Sequence, residues 1–113
     1  MCDKAVLDEI TKRVCASAKE VLGEKLEKVV LFGSRARGDY DNESDIDIMV
    51  LADIKPQDTN NTRRKIRALT GDLGLEYDVL VSLHMICSTN FHEYIDVLPY
   101  YMNIVKDGIE LHA

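Results

Sequence analysis

The sequence predicts a small α/β domain in which a mixed β-sheet is packed with helices. Two observations support this fold class. Short apolar runs typical of strands alternate with longer segments in which apolar residues recur at helical spacing. The 113 residues, of which 46% are hydrophobic and 30% charged, have the size and composition of one globular domain. We therefore expect residues 1–113 to form a single domain.

Apolar periodicity and end signals place four helices along the chain. The first spans residues 3–22 and ends at Gly23, because glycine readily adopts the conformation that closes a helix. The second opens after Pro56 and a polar run. A third precedes Pro99, a fourth follows from Pro99 through Val105, and residues 109–113 form a tail. The apolar positions expected to face the core are Val6, Leu7, Ile10, Val14, Ala18, Val21 and Leu22 in the first helix, Ile66, Leu69 and Leu73 in the second, and Phe91, Ile95 and Leu98 in the third.

The strands are the three apolar runs at residues 28–32, 46–51 and 77–82. Their directions follow from where functional side chains have to meet. Ser34 follows the first strand and Asp45 begins the second, so a ligand that touches both requires these strands to run antiparallel. Asp78 lies near the start of the third strand, which predicts that this strand runs parallel to the second. The sequence therefore places a site at one end of a mixed sheet.

Carboxylates are concentrated at that end of the sheet. Asp45 and Asp47 are two residues apart on a strand, so both side chains point to the same face. An isolated pair of this kind is usually a pair of exposed acids, but Asp78 adds a third carboxylate beside an apolar run. Close carboxylates repel one another unless a positive partner balances them. Three converging carboxylates indicate a hard cation such as Mg²⁺ or Mn²⁺, and two such ions can clamp the attacking and leaving oxygens of a phosphoryl or nucleotidyl transfer.

A Gly-Ser turn, Gly33-Ser34, precedes this carboxylate pair by ten residues. Small residues let a phosphate approach the backbone, where free N–H groups and the serine hydroxyl can bind it. The turn is not a Walker A loop, because no Gly-Lys-Ser/Thr sequence follows it. Arg37 is a candidate phosphate ligand and Arg35 a weaker one, the alternative for both being a solvated side chain. The turn and the carboxylates together predict a site for a nucleoside triphosphate and its metal ions.

Composition argues against several other classes of protein. A net charge of −6 argues against general nucleic-acid binding, which needs a basic surface. No apolar run approaches the ~20 residues of a membrane span, and the N-terminus lacks the apolar core of a secretion signal. We therefore expect a cytoplasmic protein without membrane contact. The basic residues of the second helix are interpreted as its solvated face, with contact to nucleotide phosphate or RNA as the alternative; they are Arg63, Arg64, Lys65 and Arg67.

These motifs resemble those of a known family. The order Gly33-Ser34, Asp45-x-Asp47 and Asp78 resembles the DNA polymerase β-type nucleotidyltransferase superfamily. The flanking GSRARG and SDIDIMV are similar to those of the minimal nucleotidyltransferases (MNT). The resemblance covers nearly the whole chain and implies a polymerase β-like nucleotidyltransferase fold. It implies that Asp45 and Asp47 bind both Mg²⁺ ions and that Asp78 completes the site that activates the incoming hydroxyl. It also implies that Gly33 and Ser34 hold the β- and γ-phosphates.

The resemblance further implies an activity and a partner. MNT proteins are commonly encoded beside a helical HEPN protein, an RNase toxin, and act as antitoxins by transferring AMP from ATP to one of its tyrosines, with release of pyrophosphate. Because 113 residues leave no room for an acceptor-binding domain, we expect the acceptor to belong to another molecule. Tyr100, Tyr101 and Met102 are candidate interface residues, with ordinary core packing expected for at least one of them. Two alternatives stay open: a non-catalytic antitoxin that neutralises its partner by binding, and a transferase that modifies a small molecule such as an antibiotic.

Overall fold

A computed structural model describes residues 4–33, 45–77 and 79–112. Within them a four-stranded mixed sheet is packed with helices on both faces, which confirms the predicted fold class. The helices are α1 (Lys4–Leu22), α2 (Thr59–Thr70), α3 (Leu73–Tyr77), α4 (Ser88–Tyr94) and α5 (Pro99–Asp107), and the strands are β1 (Leu26–Phe32), β2 (Ile46–Ala52), β3 (Val81–Cys87) and β4 (Ile109–His112). None of the helices in these ranges is both long and apolar enough to cross a membrane.

The strand order in the sheet is β3-β2-β1-β4. β1 and β2 run antiparallel, with Phe32 opposite Asp47. β2 and β3 run parallel, with Ile46 opposite Val81. Both directions confirm the prediction that was argued from the placement of the candidate site. The C-terminal end of β1, the N-terminal end of β2 and the start of β3 therefore lie together at one end of the sheet.

Alternation along the strands produces two apolar layers, one on each face of the sheet. The face covered by α1 and α2, called here the α1/α2 face, contains Val29, Leu31, Ile46, Ile48, Val50 and Leu83, packed with Ile10, Val14 and Ile66. The opposite face, called the α4/α5 face, contains Val30, Phe32, Met49, Leu51 and Ile86, packed with Phe91 and Ile104. Asp47 is two residues before Met49 on β2, so alternation places it on the α4/α5 face.

The third strand begins later than predicted. The prediction placed it at residues 77–82, whereas the strand is Val81–Cys87 and Tyr77 ends α3. The Asp72 carboxylate oxygen Oδ1 accepts a hydrogen bond from the Leu75 N–H at 2.9 Å. This side chain caps a short helix in the segment, so local capping overrides the apolar run that indicated a strand.

Three further expectations are wrong. Residues 109–112 are not a tail, because they form β4 and pair antiparallel with β1. Leu69 is 56% exposed, since the buried stripe of α2 consists of Thr62 and Ile66 and leaves Leu69 to one side. Leu98 is 41% exposed, because α4 ends at Tyr94, before its helical repeat reaches that position.

Candidate active site

The turn that follows β1 lies against a carboxylate of β2. Gly33 has a φ of +76°, a backbone conformation that other residues adopt only at a cost. A Cβ atom added at Gly33 would lie 2.7 Å from Asp47 Oδ2, closer than real Cβ contacts come. Glycine therefore fits both the conformation and the space. The structure thus brings together a residue of the predicted turn and a residue of the predicted carboxylate pair.

The two carboxylates lie at the N-terminal end of β2. Asp45 is exposed and immediately precedes the strand. Asp47 is the second residue of the strand, with a side chain that is 28% exposed. Ile46 between them is fully buried in the α1/α2 layer, so alternation along the strand turns Asp47 toward the other face. Both carboxylates are accessible to a small ligand that approaches this end of the sheet.

The other predicted site residues, Ser34, Arg37 and Asp78, lie outside the described residues, as does Arg35. Their roles as phosphate and metal ligands stay predictions. Within the described ranges, no group of three or more His, Cys, Asp or Glu side chains is arranged to hold a metal ion. The described part of the predicted metal site therefore consists of Asp45 and Asp47.

A histidine outside the predicted set contacts Asp47. His84 Nε2 lies 3.4 Å from Asp47 Oδ1, and His84 Nδ1 lies 2.7 Å from the Tyr100 hydroxyl oxygen. An ionised carboxylate only accepts hydrogen bonds, so the neutral ring that satisfies both contacts carries its proton on Nε2. The Tyr100 hydroxyl then donates to Nδ1, and Nε2–H donates to Asp47. The three side chains form a continuous polar chain, the Asp47–His84–Tyr100 chain.

Aromatic packing holds this polar chain against the end of β1. The Phe32 ring lies 4.9 Å from the His84 ring and 6.1 Å from the Tyr100 ring, measured between centroids. Interplanar angles of 66° and 78° are those of edge-to-face contacts, which aromatic rings prefer. Phe32 directly precedes Gly33, so one strand end supplies both the turn and the ring that supports the polar chain.

The Tyr100 hydroxyl stays protonated at neutral pH. Burial raises the pKa of Tyr100, and the neighbouring Tyr101 and the Asp47 carboxylate add smaller contributions by disfavouring a second negative charge, so that the pKa is about 12. A protonated hydroxyl is the form that donates to His84. The electrostatics of the site therefore agree with the hydrogen-bond directions given above.

The sequence contained a pattern that places His84 beside Asp47 but none that places Tyr100 there. Ser82, His84 and Ile86 alternate along β3, and Ser82 lies opposite Asp47 in the parallel pair. A strand placed at residues 81–87 would therefore have put His84 on the same face as Asp47. Tyr100 reaches the site from α5, and its contact depends on how that helix packs on the sheet.

Comparison with known proteins identifies the family of this chain. Residues 7–110 match the family model described as a nucleotidyltransferase domain. The chain belongs to the nucleotidyltransferase domain family. It is 42% identical to a protein of Methanocaldococcus jannaschii that bears the name "Putative protein adenylyltransferase MJ0141". This identity extends over 74 residues, which are 66% of this chain and 73% of the relative.

Two solved structures share the nucleotidyltransferase fold of this chain. One is a crystal structure of a toxin–antitoxin with AMP-PNP, with a TM-score of 0.55 and 21% identity. The other is a mutant of the toxin–antitoxin MntA-HpeT, with a TM-score of 0.54 and 20% identity. Each alignment covers 91% of this chain and 73% of the other. The likeness confirms the fold, and membership of the family makes the chain a nucleotidyltransferase.

Proposed function

We propose that this nucleotidyltransferase transfers AMP from ATP to a tyrosine hydroxyl of a helical HEPN-type toxin and thereby acts as its antitoxin. The observation that carries the proposal is the contact between Gly33 and Asp47, which sets a turn suited to phosphate against a carboxylate suited to a metal ion. Family membership supports nucleotidyl transfer, and the name of the 42% identical relative supports a protein acceptor. The two structural neighbours support a toxin partner, and AMP-PNP in one of them supports an adenine nucleotide.

The residues present fit a divalent metal ion. Carboxylate oxygens are the ligands that Mg²⁺ prefers, and Asp45 and Asp47 carry such oxygens at one strand end. Within the described ranges the ion-pair partner of Asp47 is His84, so no lysine or arginine there balances its charge. Asp45 and Asp47, together with Asp78, are the proposed ligands of two Mg²⁺ ions, a role that Mn²⁺ can also fill. Such ions polarise the α-phosphate and lower the pKa of the attacking hydroxyl.

The residues of the chain itself position the reactants. The acceptor hydroxyl loses its proton to water as its oxygen attacks the α-phosphorus, the bond from that phosphorus to the bridging oxygen breaks, and pyrophosphate leaves. Because no covalent intermediate with the protein is needed, catalysis consists of positioning and charge neutralisation. The two oxygens of Asp47 have different surroundings: Oδ1 accepts from His84, and Oδ2 faces Gly33. Gly33, Ser34 and Arg37 are the proposed binding residues for the β- and γ-phosphates. His84 is proposed as a positioning residue, because its contact orients Asp47, the proposed metal ligand.

Intact-mass spectrometry of the partner tests the proposal. The purified chain is incubated with ATP, Mg²⁺ and the helical protein encoded beside it. We expect the partner to gain the mass of one adenylyl group per modified tyrosine, and peptide mapping to locate that group. Asp47→Asn should abolish the gain. Asp53→Asn is the matched control, because Asp53 is an exposed acid directly after β2 and undergoes the same change of charge.

The same experiment separates the alternative functions. A tight complex without a mass change, together with full protection from the toxin by the Asp47→Asn variant, would contradict AMP transfer and support a non-catalytic antitoxin. A mass gain on an added antibiotic, with none on the partner protein, would support a small-molecule transferase.

A further inference from the structure

A groove runs along the outer edge of β3. Its volume is about 460 Å³, and its lining includes five consecutive strand residues, Ser82–Ile86, so it follows the strand edge rather than one face of the sheet. Arg63 and Arg67 of α2 line one side of it, and Tyr100 of α5 lines the other. We call this depression the β3 groove. It begins beside the end of the sheet that carries the candidate active site.

Among the described residues, β3 is an edge strand whose neighbour in the sheet is β2. Its backbone is therefore unpaired on the opposite side, which faces the groove. The Ile46 N–H donates to the Leu80 carbonyl at 2.9 Å. The alternation of a parallel ladder then turns the backbone groups of the even-numbered residues of β3 toward β2. The N–H and C=O groups of Leu83 and Met85 consequently point away from β2, into the groove. A strand edge with free backbone groups is a template for a further strand.

The two sides of the β3 groove differ in chemistry. Arg63 and Arg67 lie on the α1/α2 side, in a chain whose net charge is −6. In the described ranges Arg63 donates to the Asn60 amide oxygen at 3.2 Å, and neither arginine forms an ion pair. The α4/α5 side is formed by Tyr100 and His84, which lead to Asp47. Acidic side chains complement the first side, whereas the second side gives access to the reacting end of the sheet.

We propose that the acceptor protein binds in the β3 groove as an added β-strand. The bound segment is extended and acidic, pairs with β3, and carries the tyrosine that is modified. Because strand side chains alternate, a tyrosine on the Asp47 side requires its two flanking residues to face Arg63 and Arg67, and these residues are the acidic ones. An added strand lies about 4.8 Å from β3 and about twice that distance from β2, the strand that carries Asp47. A tyrosine side chain spans the distance from the added strand to β2 better than a serine side chain does. The inference rests on the proposed function and names how its acceptor is recognised.

A short synthetic peptide with a central tyrosine between two glutamates tests the inference through binding alone. The fluorescence anisotropy of the peptide is measured as the wild-type chain, or one of two charge-reversal variants of it, is added. Arg67→Glu should raise the Kd roughly tenfold or more, because it sets like charges opposite each other. Arg64→Glu is the matched control: Arg64 is exposed on the same helix, outside the groove, and its reversal should change the Kd by no more than about twofold.

Two further variants test the backbone pairing. A peptide with N-methylated amides on its pairing edge should lose binding, because it cannot donate to β3. Met85→Pro should weaken binding of the unmodified peptide, since it removes an outward N–H while leaving the bonds to β2 in place. Circular dichroism and thermal melting test whether the Met85→Pro variant is folded. If it is unfolded, binding of the N-methylated peptide to the wild-type chain decides whether the peptide pairs with β3.

Several results would overturn the inference. These are the absence of saturable binding, equal affinity of the N-methylated peptide, and equal effects of the Arg67 and Arg64 reversals. If Mg-ATP no longer raises the Tm of the Arg67→Glu variant, Arg67 contacts the nucleotide and not the acceptor, and the inference is overturned as well. AMP transfer to the partner that is unaffected by these changes would refute the docking mode and leave the proposed function intact. Peptide binding by a chain that transfers no AMP to any partner would refute the proposed function and leave the docking mode intact.

Discussion

Replacing Gly33 by alanine tests whether the turn after β1 holds the candidate metal-binding carboxylate in place. The substitution has two physical effects. A φ of +76° costs an alanine about 1–2 kcal/mol. The new Cβ atom also lies 2.7 Å from Asp47 Oδ2, so either the carboxylate or the turn must move. Because a displacement of about 1 Å at a reacting centre costs about a hundredfold in rate, we expect AMP transfer to fall by roughly ten- to a hundredfold.

Gly71→Ala is the matched control for this substitution. Gly71 has a φ of +85°, and a Cβ atom added there meets nothing within 4 Å. This variant therefore carries the cost in backbone conformation without contact to a carboxylate. Urea or thermal unfolding should show that each variant loses about 1–3 kcal/mol, equivalent to a Tm lower by ~4 °C or more per kcal/mol. Pyrophosphate release during AMP transfer should fall strongly in Gly33→Ala alone, when measured at a temperature at which both variants are folded.

Equal transfer rates in the two variants would refute the argument that the contact of Gly33 with Asp47 positions the site. A Gly33→Ala variant with the full rate would refute it as well. His84→Ala in the Gly33→Ala background provides an internal check, because each single variant keeps a measurable rate. If both substitutions act on the orientation of Asp47, the double variant should lose less activity than the product of the two single losses.

Three other outcomes are expected. His84→Ala should weaken metal-dependent transfer by about 10–100-fold, the usual effect of losing the partner of a metal-binding side chain, whereas His92→Ala, at an exposed position on α4, should leave the Mg²⁺ titration of the rate unchanged. Mg-ATP at one hundred times its dissociation constant should stabilise the wild type by ~2.7 kcal/mol and Asp45→Asn by much less; an unchanged wild-type Tm at saturating Mg-ATP would count against a nucleotide site. The raised pKa of Tyr100, about 12 in the folded state against an ordinary 10.0, favours the folded state while the hydroxyl is protonated, so its contribution to stability should be complete below pH 10 and disappear between pH 10 and 12 as the pH rises. Tyr100→Phe should lack that part of the decline in alkaline unfolding curves, and identical curves for the two proteins would contradict this.

Apolar periodicity was sufficient for α1 and for β1 and β2, where the pattern extends over most of each element. Ile10, Val14 and Ala18 occupy one helical stripe, and all three are buried. Periodicity failed where a short polar signal competes with an apolar run, as at Asp72, whose side chain caps α3 ahead of β3. Residues 109–112 were predicted to be a tail, but apolar and polar residues alternate in Ile109–His112 as in a strand, and this segment pairs with β1. The directions of β1, β2 and β3 came from a functional argument instead, because periodicity carries no information on strand order.

In the candidate site, contacts between residues close in the chain could be predicted from the sequence, and contacts between distant residues could not. Gly33 and Asp47 lie at adjoining ends of two antiparallel strands. A motif within a short stretch of chain was enough to predict that the turn and the carboxylate pair lie at the same end of the sheet. His84 is 37 residues from Asp47 in the chain, and Tyr100 is 16 residues beyond His84. Both contacts depend on the register of β3 and on the packing of α5. A single sequence supplies neither of these.

The register of β2 connects the stability of the core with the geometry of the site. Ile46 and Ile48 are fully buried in the α1/α2 layer, and Asp47 between them points to the opposite face beside Phe32. Because side chains alternate along a strand, a slip of one residue would bury Asp47 in the α1/α2 layer and move the isoleucines to the α4/α5 face. The burial of these isoleucines therefore aims the carboxylate, and Gly33 and His84 then set its two oxygens. A core substitution that shifts β2 should consequently reduce transfer by more than its effect on folding explains, although it touches none of the proposed ligands.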